Sequence, residues 1–500
     1  MHDTQVDLTQ QLAEFVAATR YEDLPVEVEE ESRRLLLDTV GCALGAINTP
    51  SGRIALQHVE SLGGSPNATV LGLDSKTSAT NAAYANARLA NVLDADDTFP
   101  TSTHFGNATV FSALALNEQF DGSDHDLLTA IAVGFDVGAR IGSWMGAPFQ
   151  VRDGEVVGWN ELGGPPATVT WAAVGAAASS ARLDSVQANH AFGLAGANSP
   201  QPTIRKWAEA PIQPMYKYAD AGWCADTGVS AALLARLGST GFLDILDGDN
   251  AFWRFYGSPT HEDDLLINGL GSDWQILNTT YKPWPCCRWI HHPLTAFSRL
   301  IDEHGLKAEE IESIVVRANP LALSEIFRSQ QPADPLTAEF SHAHAMASMA
   351  YGIPSGPRWY EQEAMTAPHM VSFRERVTVE PEPSSANIAK WMGGGQWRGI
   401  PGGVEVVARG TRFVATADNA LGDPWSESTL LSNEALVQKF LGMCGLDESQ
   451  EEVSPRLAAH ATECAEAILA ADSAVGLSSW VADVANLSRS LRRTLIDAHA

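Results

Sequence analysis

Basic residues are scarce in this 500-residue chain: 32 Lys and Arg stand against 61 Asp and Glu, which gives a formal net charge of -29. A surface that binds nucleic acid needs basic stripes facing the phosphate backbone, and the sequence contains no such stripe. We therefore expect no nucleic-acid partner. Few of the basic residues are lysines, so a lysine beside candidate catalytic residues is evidence for a functional site. An anionic substrate would need local positive charge inside this acidic protein.

Cysteines and long apolar runs are also scarce. The six cysteines include no CxxC pair, which indicates free thiols in a reducing compartment and not a disulfide framework. No apolar run reaches the length of a membrane span, and the polar start of the sequence lacks the features of a signal peptide. We expect a cytoplasmic protein with no membrane partner. Its composition, 45% hydrophobic and 19% charged, is that of an ordinary globular chain.

Hydrophobic periodicity predicts a mainly α protein. Apolar residues recur at helical spacing near both ends of the chain, and Ser78 is a candidate N-cap for one of the helices. Small residues within 167–182 and 228–237 favour a close approach between helices. The predicted helices cover 6–20, 26–47, 79–93, 108–120, 123–145, 167–182, 228–237, 432–444, 454–471 and 476–491.

The pattern changes near residue 275. A single helix is predicted over 335–351, and the glycines within 393–403 indicate a mobile loop. The sequence therefore predicts a large all-helical domain, 1–274 and 416–500, with a smaller α+β lid domain inserted at 275–415. The predicted strands are 311–316, 376–380 and a hairpin of 404–408 and 411–414 that turns at Gly410.

Three carboxylates crowd the end of the helix predicted over 79–93. Asp94, Asp96 and Asp97 are followed by Thr98 and, on the next loop, by His104. Carboxylates this close raise at least one pKa among them, and a neighbouring histidine can share the proton. General acid–base catalysis near neutral pH requires such an arrangement. A solvent-exposed acidic helix end is the alternative, and spacing alone does not exclude it.

A lysine flanked by two tyrosines precedes one of the small-residue helices. Lys217 lies between Tyr216 and Tyr218, outside a helical face. It could anchor a carboxylate or donate a proton. The alternative is an exposed lysine whose aliphatic chain covers aromatic surface.

Lys282, Arg288 and His291 lie close together around the adjacent Cys286 and Cys287. Prolines fix an extended backbone here, and the segment lies at the predicted domain boundary, where clefts are common. Adjacent cysteines bridge badly, and no second pair of metal ligands has a recognisable spacing. Core packing is therefore the favoured interpretation of the two cysteines.

Two further histidines, His342 and His344, lie on the helix predicted over 335–351. Residues two apart point to different sides of a helix, so this pair should not chelate one ion. One of them could face the cleft, and a buried structural histidine is the alternative.

Several segments of the sequence, taken in chain order, resemble the MmgE/PrpD family. This family includes 2-methylcitrate dehydratases, cis-aconitate decarboxylases and an iminodisuccinate epimerase. The resemblance covers nearly the whole chain. It implies the two-domain fold predicted above, usually as a homodimer with the site between the domains, and no metal, nucleotide or organic cofactor. The segments are Leu36-Leu-Asp38-Thr-Val-Gly41, the acidic helix end with His104, the Lys217 segment, Lys282-x-x-Pro-Cys-Cys-Arg-x-x-His291, Phe340-Ser341, Gly422-Asp-Pro424 and Lys439-Phe440.

The resemblance also implies site residues. Family positions match Asp94, Thr98 and His104 around an Asp-Asp-Thr. The family lysine matches Lys217, and the family histidine after the cysteine pair matches His291. The candidate catalytic residues are Asp94, His104, Lys217, His291 and His344. The candidate substrate-binding residues are Asp97, Thr98, Lys282 and Arg288.

Four positions depart from the family pattern. Asn160 or Pro166, neither of which titrates, stands where relatives have a histidine before the alanine-rich helix. His344 replaces the usual tyrosine, Phe105 replaces a proline, and Asp220 replaces a histidine near the lysine. Losing one histidine while gaining another indicates a changed proton path or a different substrate.

The resemblance and the residues together predict a cofactor-independent lyase, of the dehydratase or decarboxylase type. It would remove a proton beside a carboxylate of a small di- or tricarboxylic acid, as a 2-methylcitrate dehydratase-like enzyme. His104 or His291 would be the base, and Asp94 would orient it. Lys217 and Arg288 would hold a carboxylate and stabilise the developing charge. Three alternatives stay open: an isomerase or epimerase on the same site, a metal-dependent hydratase or hydrolase, and a non-catalytic carboxylate-binding relative.

Overall fold

A computed structural model of the chain describes residues 7–99, 103–146, 149–153, 155–159, 165–210, 213–393, 396–446 and 454–497. Most of these residues are helical, and the C-terminal part contains a small mixed sheet of four strands. The predicted fold class, a large helical domain with a small α+β domain, is confirmed.

Helices build the first half of the chain. Each helix predicted there is present, although the one predicted over 228–237 begins earlier than expected. Ser78 caps its helix by accepting a hydrogen bond from the Asn81 N–H. These helices are α1 (Leu8–Ala18), α2 (Val26–Ala46), α3 (Pro50–Leu62), α4 (Ala79–Asn91), α5 (Gly106–Gln119), α6 (Asp124–Met145), α7 (Pro165–Ser180), α8 (Ser185–Asn198), α9 (Ile204–Ala208), α10 (Ala221–Arg236), α11 (Phe252–Phe255) and α12 (Asp263–Ile267).

The core of the helical domain forms where α6 packs on α7. A Cβ added to Gly134 would lie 2.6 Å from the Cβ of Ala176, and one added to Gly138 would lie 2.5 Å from that of Ala172. The close helix approach predicted from small residues is therefore confirmed. Within the part of the chain that the structure describes, α6 alone is long and apolar enough to cross a membrane, and it is wholly buried in this core.

The α+β domain surrounds a mixed sheet. Its first strand, β3 (Ile311–Ala318), pairs in parallel with β4 (Val377–Pro381) and antiparallel with β7 (Gly402–Ala408). Strand β7 also pairs antiparallel with β8 (Thr411–Ala417). The other described strands form a hairpin in the first half of the chain, β1 with β2, and a short pair, β5 with β6. These elements are β1 (Phe149–Arg152), β2 (Glu155–Trp159), α13 (His291–His304), β3 (Ile311–Ala318), α14 (Glu325–Arg328), α15 (Pro335–Ala338), α16 (His342–Ala350), α17 (Gln362–Thr366), α18 (Pro368–Arg374), β4 (Val377–Pro381), β5 (Met392–Gly393), β6 (Gln396–Trp397), β7 (Gly402–Ala408) and β8 (Thr411–Ala417).

The glycine-rich segment differs in part from its prediction. Gly402 and Gly403 lie in β7 and not in a loop, because they pair with Ala417 and Thr416 of β8. Glycine at 402 also leaves room for α13, since a Cβ there would lie 2.8 Å from the Cδ of Pro293. Gly394 and Gly395 lie outside the described residues. The predicted hairpin between β7 and β8 is confirmed.

The C-terminal helices α19 (Asn433–Met443), α20 (Pro455–Leu469) and α21 (Trp480–Asp497) follow the sheet. Both α19 and α20 pack against α2. Gly41 on α2 allows Phe440 on α19 to approach, since an added Cβ would lie 2.9 Å from the Phe440 Cδ2. This packing agrees with the assignment of 416–500 to the helical domain, while the domain boundaries themselves stay predictions.

The single helix predicted over 335–351 is wrong. The chain forms two helices, α15 and α16, because the hydroxyl of Ser341 accepts a hydrogen bond from the His344 N–H and caps a new helix. The carbonyl of Glu339, in the break between them, accepts a hydrogen bond of 2.9 Å from the Cys287 N–H. The break therefore fixes Glu339 against the cysteine segment.

Candidate active site

Asp94 lies just beyond the end of α4, at the centre of a buried cluster of charges. Its Oδ1 accepts hydrogen bonds from the Nζ atoms of Lys217 at 2.6 Å and Lys282 at 2.8 Å, and Lys282 also bonds the Asp94 carbonyl. All three side chains are at most 2% exposed. Burial opposes ionisation of Asp94, but the two ammonium groups outweigh it and hold the pKa well below its ordinary value. The exposed-lysine alternative for Lys217 is therefore wrong.

His104 faces this cluster with one ring nitrogen unprotonated. Its Nδ1–H donates to the Asp97 carbonyl at 2.7 Å, so we assign Nε2 as the acceptor of the Tyr218 hydroxyl at 2.8 Å. Nε2 also lies 3.4 Å from the Asp94 Oδ1. Burial lowers the pKa of His104 to about 4; the negative charge of Asp96 opposes this shift, and the lysines reinforce it. The ring is neutral at pH 7.

Asp96 and Asp97 shape the loop that presents His104. Both oxygens of Asp97 accept backbone N–H groups at the start of α5, from Phe105 at 3.2 Å and Gly106 at 2.9 Å. A Cβ on Gly106 would lie 2.5 Å from the Asp97 Oδ1, so only glycine leaves room for this contact. Burial, Asp96 and Asp38 raise the pKa of Asp97 to about 8. Asp97 is thus held as a loop-positioning residue, and direct binding of substrate by it stays a prediction.

Thr98 connects this loop to the segment that carries Lys282. Thr98 and Thr280 exchange backbone hydrogen bonds of 2.8 and 2.9 Å, and their hydroxyls contact each other at 2.5 Å. These bonds fix Lys282 beside Asp94. Binding of substrate by Thr98 stays a prediction.

A second buried ion pair lies behind the cluster. Lys439 on α19 donates to the Asp38 Oδ1 on α2 at 2.5 Å and to the Ala95 carbonyl at 2.6 Å. Ala95 follows Asp94 directly, so this pair ties α2 and α19 to the acidic loop. The two segments near the chain ends therefore support the site from behind.

Arg288 and His291 lie next to the Asp94 cluster, on the side of the α+β domain. Arg288 donates through Nη2 to Asp423, and its buried Nε and Nη1 have no partner among the described residues. The Nε2–H of His291 donates to the Cys286 carbonyl at 3.0 Å. Burial, reinforced by the charges of Arg288 and Lys282, lowers the pKa of His291 well below its ordinary value. Cys286 and Cys287 are buried, as predicted for core packing.

His344 occupies a different environment from the Asp94 cluster. Its Nε2–H donates to the Trp359 carbonyl at 2.7 Å, and its Nδ1 accepts from Arg374 at 3.3 Å. Its ring stacks on Tyr360, with centroids 5.7 Å apart. Both ring nitrogens are thus engaged by the α+β domain, and a catalytic role for His344 stays a prediction.

The site contains two further side chains that were not predicted from the sequence. Tyr218 bonds His104, and its position next to Lys217 was the one available signal. Glu339 is 2% exposed and lines a cavity of about 2130 Å³ together with Leu93, the neighbour of Asp94. Nothing in the local sequence indicates burial of this glutamate, because the break between α15 and α16 creates its environment.

The departing positions near the alanine-rich helix are described only in part. Asn160 lies outside the described residues, and Pro166 falls in the first turn of α7, where its side chain is not described. Asp220 caps α10 by accepting the Gly222 N–H at 3.0 Å and also pairs with Arg88. Asp220 therefore has a structural role here.

The donor atoms of Asp94, Asp96 and His104 lie within 4.8 Å of one another, a spacing that a metal ion could use. However, the Oδ1 of Asp94 already accepts both lysine ammonium groups. A cation bound there would face two fixed positive charges. The two lysines therefore disfavour a metal ion at these donor atoms.

We expect buried neutral histidines to weaken the fold in acid, and His344→Gln tests this. Burial lowers the pKa of His344 from 6.5 to about 4, so the folded state binds fewer protons than the unfolded state between those values. Its contribution is complete above pH 6.5 and is lost as the pH falls toward 4, on the order of 3 kcal/mol. Gln keeps the Trp359 bond without titrating. In urea denaturation, the variant's stability deficit should shrink as the pH falls; a constant deficit would contradict the expectation.

Two family models together match most of the chain. The MmgE/PrpD N-terminal domain matches residues 10–263, and the MmgE/PrpD C-terminal domain matches residues 284–462. Human cis-aconitate decarboxylase is 27% identical over 326 residues, which cover 62% of this chain and 64% of the relative. The cis-aconitate decarboxylase-like protein oryM of Aspergillus oryzae is 24% identical over 315 residues, 59% of this chain and 61% of the relative.

Cis-aconitate decarboxylase of Aspergillus terreus is similarly distant, at 24% identity over 309 residues, 59% of this chain and 60% of the relative. The chain thus spans less than two thirds of the length of these curated relatives. The two domain matches cover most of the chain between residues 10 and 462. The chain belongs to the MmgE/PrpD family.

Proposed function

We propose that this chain is a lyase that removes a proton from the carbon beside a carboxylate of a small di- or tricarboxylic acid. One observation carries the proposal: His104, with an unprotonated ring nitrogen, lies in a buried cluster beside two lysine ammonium groups on Asp94. Relatives named as cis-aconitate decarboxylases support the lyase class.

The positive groups of the cluster are the proposed binding site for the acid. A substrate carboxylate that shares the Lys217 and Lys282 ammonium groups with Asp94 would receive charge-assisted hydrogen bonds. Arg288 offers the unpartnered Nε and Nη1 to a second carboxylate. Such local positive charge inside a protein of net charge -29 favours an anion at this place.

His104 is the proposed base. A histidine with a pKa of about 4 is neutral at pH 7 but weakly basic. Substrate carboxylates offset the lysine charges that lower this pKa, and they raise it toward the range in which a general base is effective. His291 stays the second candidate, since its buried Nδ1 has no partner among the described residues.

The lysines also stabilise the charge that the reaction creates. Loss of the proton leaves negative charge on the carbon and the adjacent carboxylate, beside ammonium groups that are already in place. Loss of hydroxide from the neighbouring carbon then gives a dehydratase. In a decarboxylase the same groups would act on a different bond: carbon dioxide leaves, its electron pair stays on the remaining carbon, and that carbon takes up a proton. Return of a proton to the other face gives an isomerase, the alternative that shares the first step. No step of this proposal uses a metal or an organic cofactor.

Exchange of carbon-bound hydrogen in D₂O tests the proposal. Citrate, cis-aconitate, L-malate and succinate are incubated with the protein and followed by NMR for deuterium incorporation and for new products. We expect exchange or conversion of at least one acid, unaffected by prior dialysis against a chelator. An acid that raises the melting temperature without exchange or conversion would favour a non-catalytic carboxylate-binding protein. Activity lost on chelation and restored by a metal ion would favour a metal-dependent enzyme.

We further propose a homodimer located in the cytoplasm, without nucleic-acid or membrane partners. The acidic composition supports the absence of a nucleic-acid partner, and six buried cysteines outside any disulfide support the cytoplasmic location. Membership of the family suggests the homodimer. Sedimentation of the purified protein tests the dimer.

A further inference from the structure

Glu339 has features that packing alone does not explain. It lies in the break between α15 and α16 and is 2% exposed, and its Oε2 has no hydrogen-bond partner among the described residues. A buried carboxyl oxygen without a hydrogen-bond partner costs stability. A structural glutamate, such as Glu118 on α5, instead has its oxygens engaged, by Thr69 and Lys76.

The position of Glu339 is fixed from both sides. The Cys287 N–H donates to its carbonyl at 2.9 Å. The next residue, Phe340, packs edge-on against Trp207 with ring centroids 4.7 Å apart, and Trp207 packs in the same way against Tyr218, at 5.3 Å. Tyr218 bonds the unprotonated nitrogen of His104. This chain of contacts holds Glu339 on the side of the site contributed by the α+β domain, and His104 on the side contributed by the helical domain.

The charges around Glu339 favour its protonated form. Burial raises the pKa of Glu339 well above its ordinary value; the ammonium group of Lys217 opposes this shift, and the charge of Asp94 adds to it. Lys217 and Lys282 donate to Asp94, and neither forms an ion pair with Glu339 within the described residues. These surroundings favour the protonated form of Glu339, and the neutral His104 leaves its Nε2 without a proton.

The cavity wall gives this proton access to a ligand. Glu339 lines the cavity of about 2130 Å³ together with Leu93 and Gln213, which flank the Asp94 and Lys217 segments. Asp94 and Lys282 lie deeper and do not line it. Glu339 thus lines the cavity and is also close enough to the cluster to be affected by the charges of Lys217 and Asp94.

We propose that Glu339 is the proton donor of the lyase reaction, acting through Oε2 on the leaving group while His104 acts as the base. This inference rests on the proposed function. In a dehydration, Nε2 of His104 takes the proton from carbon and the C–H electron pair forms the double bond. The C–O bond breaks, and the oxygen leaves as water with the Oε2 proton. His104 then returns its extra proton to Glu339 through solvent.

A decarboxylation uses the same donor. The bond to the departing carboxylate breaks, its electron pair stays on the remaining carbon, and that carbon takes the Oε2 proton. Solvent then restores the proton of Glu339. The donor role of Glu339 is therefore common to both lyase types, whereas His104 removes a proton from carbon in the dehydration.

Glu339→Gln tests the inference, because the amide keeps the size and neutrality of the protonated acid but has no transferable acidic proton. With the acid from the panel that the wild type converts, we expect kcat to fall by about 10²–10⁴-fold, with KM changed much less. Deuterium exchange at carbon should persist, since it requires only His104. Glu339→Asp should recover part of kcat. The control Glu118→Gln should turn over as the wild type does.

Each result has a defined meaning. Unchanged kcat in Glu339→Gln, or equal loss of exchange and conversion, overturns the donor role. If the wild type neither exchanges nor converts any acid, the proposed function fails. Independently of turnover, the infrared difference between wild type and Glu339→Gln should contain the carbonyl stretch of a protonated carboxylic acid at pH 7. Carboxylate bands there instead overturn the inference on their own.

Discussion

A His104→Asn variant is expected to lose turnover by about 10²–10⁴-fold while it keeps its fold, the range for removal of a general base. The asparagine amide nitrogen takes the place of Nδ1 and keeps the donation to the Asp97 carbonyl, 2.7 Å in the wild type. The variant lacks Nε2, the atom that faces Asp94 and Tyr218. Deuterium exchange at carbon should fall together with conversion, unlike in Glu339→Gln.

The matched control is His190→Asn. His190 lies half-buried on α8 and contacts Gly241, remote from the Asp94 cluster. We expect this variant to convert and exchange substrate at wild-type rates. Near-normal exchange in His104→Asn would remove His104 as the base and leave His291 as the candidate to test next.

A Lys282→Met variant is expected to be less stable by about 3–5 kcal/mol, as found when one partner of a buried ion pair is removed. Methionine fills similar space but leaves Asp94 and Asp96 with one ammonium group, that of Lys217. The bond from Lys282 to the Asp94 carbonyl is also lost, and Asp94 has a φ of +48°, a conformation that needs such support. Urea denaturation at pH 7 measures the loss.

Lys76→Met provides the comparison. Lys76 pairs with Glu118 at 2.8 Å, but its side chain is 48% exposed, so we expect a loss below about 1 kcal/mol. The double variant Lys282→Met/Asp94→Asn should lose less stability than the two single variants lose in sum, because the uncompensated charge of Asp94 is removed. Equal small losses in Lys76→Met and Lys282→Met would show that the cluster is not held by this pair.

The helices and strands could be predicted well because their signals are local. Ser78 caps α4 as predicted, and the hairpin turns at Gly410. The first departure, within 335–351, arises because a serine that caps a helix competes with continuation of the previous one. Apolar spacing alone does not reveal which of the two wins.

The candidate site could be predicted only in outline. The sequence predicted Asp94, His104, Lys217 and Lys282 as candidate site residues, and the structure brings these four into one cluster. It could not indicate burial or hydrogen-bond partners, which come from distant segments. Glu339 was therefore missed.

The contact between Thr98 and Thr280 affects how a ligand could enter and leave the site. Because His104, Asp94 and the lysines are almost wholly buried, the carboxylic acid that we propose could reach them only if surrounding segments move. The threonine pair holds Lys282 against the helical domain, so we expect this movement on the other side of the site, where Glu339 lies. The rate of such an opening would then limit the rate of the proposed reaction.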